Sequence, residues 1–100
     1  MFAGSELSGG SVNTDFNVLV GVYNGNSSSL YINDTVVAGS VGSGSITNTI
    51  DIGHRLTPAG ADTSLKGDIA LVMIFNTAHN STTISNIKSW IDNSFNVWGL

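Results

Sequence analysis

"FNVLVGVYNGNSSSLYINDTVVAGS", residues 16–40, is the stretch on which the fold turns. In its first part Phe16, Val18, Val20 and Val22 fall on one face and Asn17, Leu19, Gly21 and Tyr23 on the other. That two-residue period is a strand's. "NGNSSS" is a turn, rich in residues that tolerate positive φ or bond their own backbone, and "SLYIN" returns as the partner strand. Asn33-Asp34 makes the next turn and "TVVAGS" a third short strand.

Beyond the loop "VGSGS", Ile46, Asn48, Ile50 and Ile52 line one face of a fourth strand. "RLTPAGADTS" holds the only proline and has no periodicity, which predicts a surface loop. In "GDIALVMIF" seven apolar residues follow one another without alternation, which predicts a fifth strand covered on both faces. The period then changes. Ile84, Ile87, Trp90 and Ile91 fall at helical spacing behind "NSTT", so a helix is expected over 81–93, capped by Asn80 or Ser81 and packed by that stripe. Residues 1–15 are expected to be a flexible start, 16–77 the strands, all in one domain. Five strands in a row with one terminal helix predict an all-β chain, an antiparallel β-sandwich of the jelly-roll kind.

Composition narrows the function. Of the 100 residues, only 10% are charged, against a typical quarter, and Ser, Thr, Asn and 12 Gly carry the polar share. Three Lys+Arg against seven Asp+Glu give a net charge of −4, which offers no footprint for a phosphate backbone, so nucleic acid is not an expected partner. Without cysteine there is no disulfide framework and no thiolate metal site. No apolar run approaches the ~20 residues that span a bilayer, and the opening "MFAGSELSGGS" has no signal-peptide pattern. The expected location is a virion, the cell surface or the extracellular space, reached without a signal in this chain.

Four stretches carry a resemblance. "LYINDTVVAGS" resembles the strand, turn and strand of concanavalin A-like, laminin-G-like jelly-roll domains, and "IDIGHR" the strand that follows it. "LKGDIALVMIFNTAHNSTTISNIKSWI" is similar to the closing strand, turn and helix of that family, and "NVWGL" to the ending of many phage and bacterial members. The resemblance covers about the second half of such a domain. It implies a partial sandwich, completed by other copies in a homo-oligomer or by other subunits of a hetero-assembly, since the apolar faces of Val18, Val20, Ile50 and Ile69 would otherwise be exposed. It also implies a lectin-like carbohydrate-recognition module of a phage, virion or surface protein, or a structural component of such an assembly that binds no sugar. The chain departs from the family at Asp34, where a glycine is usual, at Leu71, where glutamate is common, and at His79, where leucine is.

Candidate functional residues are few. Two carboxylates about 5 or 9 Å apart are what glycoside hydrolysis requires. The family's glucanases carry them as Glu-x-Asp-x-x-Glu, which is absent here, so no enzyme is expected and a glucanase remnant ranks last. Tyr23 and Tyr31, on adjacent strands, are read either as an exposed platform for a sugar ring, with neighbouring amides for its hydroxyls, or as core packing. Asn33 joins that platform. His54 and Arg55, at a strand end, either hydrogen-bond a sugar or carboxylate or simply cap the strand. No cofactor is expected; the weak exception is calcium on the oxygens of Asn33 and Asp34. Trp90 is assigned to the buried helix stripe, and His79 to packing over the helix N-terminus.

Overall fold

The computed structural model describes residues 6–10, 15–44, 52–56 and 62–96, with the backbone alone at 54–56 and 62–64. The chain divides into two units, Met1–Gly44 with Thr77–Leu100, and Ser45–Asn76.

In the first unit, β1 (Leu19–Val22), β2 (Ser28–Ile32) and β3 (Thr35–Gly39) form an antiparallel sheet in sequence order. These are the first three of the five strands expected in a row. Val20 lies opposite Tyr31 and Leu30 opposite Val37, so β2 is hydrogen-bonded along both edges. Two residues, Asn33 and Asp34, join β2 to β3, and only Asn33 has a positive φ, 54°. A type I′ turn takes two such positions, which is what an Asn-Gly pair supplies; Asp34 leaves one.

Asn33 also lengthens the ladder. Its N–H donates to the Val18 carbonyl at 2.9 Å, and its side-chain oxygen accepts from the Val18 N–H at 2.9 Å. Its amide nitrogen donates to Asn17 Oδ1 at 2.9 Å, so backbone and amide together hold the chain entering β1.

The opening stretch, expected to be a flexible start, is packed where it is described. Leu7 is buried, and its Cδ1 lies 3.0 Å from where a Cβ on Gly39 would stand. A Cβ on Gly10 would come within 2.8 Å of Ile32 Cδ1, and φ there is +73°, so this close approach requires glycine.

Helix α1 (Ser81–Phe95) outruns the expected span by two residues. Asn80 is the cap, its side-chain oxygen accepting from the Thr83 N–H at 2.9 Å. At the other end Asn96 turns left-handed, φ 49°, and its N–H donates to the Asp92 carbonyl at 2.6 Å. Ile84 is 3% exposed and Ile87 and Ile91 are half-buried, as the stripe predicts. Trp90 is a correction. It is 52% exposed and packs edge-on to Phe95, ring centroids 6.3 Å apart. Six residues past Ile84 a helix has turned about 120° away from it. Four-residue steps instead place Lys88 and Asp92 with Ile84, and Asp92 is only 7% exposed.

The second unit holds a two-stranded antiparallel hairpin, β4 (His54–Leu56) and β5 (Asp62–Ser64), with His54 opposite Ser64. The Leu65 N–H extends it by donating to the Gly53 carbonyl at 2.7 Å. The expected surface loop therefore begins and ends in strand. The expected fourth strand runs over 46–52, of which 46–51 lie outside the described residues; Ile52 is in a bend and 50% exposed. The expected fifth strand is not paired: residues 65–80 hold neither helix nor strand, and Ile69 to Phe75 are all exposed instead of covered. Pairing such a strand takes a neighbouring strand along an edge, and no described residue supplies one.

Candidate functional site

Tyr23 leaves the end of β1 and is 56% exposed. The chain then makes a single 3-10 turn, Gly25–Ser27, entered through Gly25 at φ 56°. Ser28 closes it from beneath. Fully buried, its hydroxyl donates to the Gly25 carbonyl at 2.8 Å and accepts from the Asn24 N–H at 2.9 Å. The end of β3 is tied to the same turn, because the Val41 N–H donates to the Gly25 carbonyl at 3.3 Å and the Ser40 hydroxyl to Asn26 Oδ1 at 2.9 Å. Val41 is wholly buried.

The result is a neutral rim on a fixed base. Tyr23, Asn24, Asn26, Ser27 and Ser40 are exposed, and the Asn24 amide makes no hydrogen bond among the described residues. One aromatic face beside the free Asn24 amide and exposed hydroxyls suits a ligand with an apolar face and many hydroxyl groups. None of the rim's side chains carries a charge.

Of the five residues singled out in the sequence, the three in the first unit, Tyr23, Tyr31 and Asn33, are not gathered. Tyr31 lies opposite Val20 and Val36, so the two tyrosines are not cross-strand neighbours. Asn33 stands at the far end of β2 from the rim, and its amide is spent on Val18 and Asn17. His54 and Arg55 lie in β4, opposite Ser64 and Thr63, in the second unit. The rim residues that the sequence does not single out as ligand contacts are Asn24, Asn26, Ser27 and Ser40; the Asn-Gly-Asn spacing marks a turn and carries no signal for Ser40.

The oxygens offered to calcium already hold a cation. Lys88 Nζ donates to the Asn33 carbonyl and to Asp34 Oδ1, each at 2.6 Å. The lysine side chain is 11% exposed and that of Asp34 77%, so the ammonium is sheltered while its carboxylate partner stands in water. Among the described residues no group of three His, Cys, Asp or Glu side chains gathers, and no helix is long and apolar enough to cross a membrane.

Comparison with known proteins found no matching family model, no matching curated protein and no matching solved structure.

Proposed function

We propose that this chain is a non-catalytic recognition module, a concanavalin A-like half-sandwich in a virion, phage or surface assembly, that binds neutral glycans at the Tyr23 rim. The observation that carries the reading is the exposed Tyr23 ring beside the free Asn24 amide, held by buried Ser28 and Val41. The low charge of the chain fits it, because a neutral glycan offers hydroxyl groups and carbon faces and asks for no counter-ion. A glycan array with wild type and Tyr23→Ala tests it. Retention of one glycan class, lost in Tyr23→Ala and kept in Tyr31→Ala, is expected. An array with no retained glycan, or retention indifferent to Tyr23, overturns it.

The exposed apolar residues 69–75 favour a second reading, a structural or decoration component whose work is assembly without sugar binding. In that reading the sandwich is completed between subunits, and the mass of the purified chain in solution decides it.

A further inference from the structure

The longest apolar run in the chain is exposed along its length. Large side chains from Ile69 to Phe75 are between 38% and 64% exposed. Residues 69–74 make no backbone hydrogen bond to any described residue and belong to no sheet, so a row of donors and acceptors runs beside them. Apolar side chains flanked by open backbone groups are what strand addition uses.

We propose that Ile69–Phe75 pairs antiparallel with the same segment of a second copy, about a two-fold axis through Val72. Three features select that occupant. First, the register is self-complementary: with Val72 opposite Val72, Leu71 meets Met73, Ala70 meets Ile74 and Ile69 meets Phe75, so every residue of the run faces an apolar partner. Second, the charges agree. No charged side chain lies within 69–75, and Asp68 of each copy falls opposite Asn76 of the other, an acceptor facing an amide donor. Sliding the register one way sets Asp68 against Phe75 or Ile74, and sliding it the other way sets Ile69 against Asn76 or Thr77. Third, the exposure is continuous. Every large side chain from Ile69 to Phe75 is at least 38% exposed, so pairing sets apolar side chains against apolar neighbours along the whole run.

The pairing deepens the assembly reading and is independent of the glycan reading, since it is measured without ligand. Because the chain contains no cysteine, single thiols report on the register. Directly opposed residues of antiparallel strands have Cα atoms about 4.5–5.5 Å apart, within disulfide reach. Light scattering is expected to give a mass of two chains for the wild type. Mild oxidation of Val72→Cys is expected to crosslink it roughly tenfold or more faster than Ser85→Cys, on the exposed side of α1, because pairing raises the thiols' effective concentration. Helical circular dichroism at 222 nm confirms that both variants keep α1. A one-chain mass, or crosslinking at Val72 no faster than at Ser85, overturns the proposal. Loss of glycan retention with a two-chain mass sinks the recognition reading and leaves this one standing.

Discussion

Replacing Lys88 by Met removes the ammonium but keeps a stem of similar length against the β2–β3 turn. Two interactions disappear, and they differ in weight. A hydrogen bond from a charged donor to a sheltered carbonyl contributes about 1.5–3 kcal/mol, which is the share of the Asn33 contact. The contact with Asp34, whose side chain is 77% exposed, is screened by water. Pairs of that kind contribute roughly 0.2–1 kcal/mol. Lys88→Met is therefore expected to cost about 2 kcal/mol, and Asp34→Asn about 0.5 kcal/mol. Urea titration followed at 222 nm reads both. With a slope of about 1–1.5 kcal/mol per molar, Lys88→Met lowers the midpoint by roughly 1.5 M and Asp34→Asn by well under 1 M. The double variant should match Lys88→Met within about 0.5 kcal/mol, since Asp34 loses its role once the lysine is gone. In 1 M sodium chloride the Asp34 effect should fade, because the Debye length shrinks to about 3 Å, while most of the Lys88 effect persists. Equal shifts for the two single variants would refute the reasoning, for the carbonyl would then contribute nothing.

Asn33→Gly keeps the positive φ but loses the amide bonds to Val18 and Asn17, for an expected cost of about 1–2 kcal/mol; Asn33→Ala should cost about 1 kcal/mol more, for the left-handed backbone. Both are read from thermal unfolding, and an Ala variant as stable as the Gly variant contradicts the turn assignment. Ile84→Ala, at the most buried position of α1, should cost about 2–4 kcal/mol in the same assay, whereas Trp90→Ala should cost less than half of that. Ser28→Ala should cost about 1–3 kcal/mol and weaken glycan retention as well, because the rim loses its base; stability lost without any change in retention would detach the site from the 3-10 turn. Chelation with EDTA should leave both stability and retention unchanged, since Lys88 holds the oxygens at Asn33 and Asp34.

Much of the first unit was legible. Period-two alternation located β1, the turns NGNSSS and Asn-Asp placed β2 and β3 beside it, and Asn80 ahead of an apolar stripe placed the helix start within a residue. Each of these signals is local. What escaped depended on register or on distant contacts. A turn of six residues puts the tyrosines on one face, yet Ser28 joins β2 and the register sets Tyr31 against Val20. Trp90 was drawn into the stripe by its hydrophobicity, although its angle on the helix opposes Ile84. Leu7 had no periodic neighbour in its Gly/Ser-rich stretch to betray that it covers Gly39. Of the candidate site only Tyr23 was legible, since amides exposed on a turn look the same as amides that merely make one.

The Lys88 contact also says something about the order of events as the chain folds. It joins residues 54 and 55 positions apart, and the whole second unit lies within that span. The first unit is therefore discontinuous in sequence, and a ribosome delivers its closing helix last, after β1 to β3 have waited through more than thirty intervening residues. Loop-closure entropy grows only logarithmically, so doubling the intervening length would cost about 0.6 kcal/mol. Insertions between Gly44 and Thr77 thus carry little entropic penalty for closing the first unit, while its folding rate, governed by how far apart its contacts lie in sequence, should slow as they lengthen.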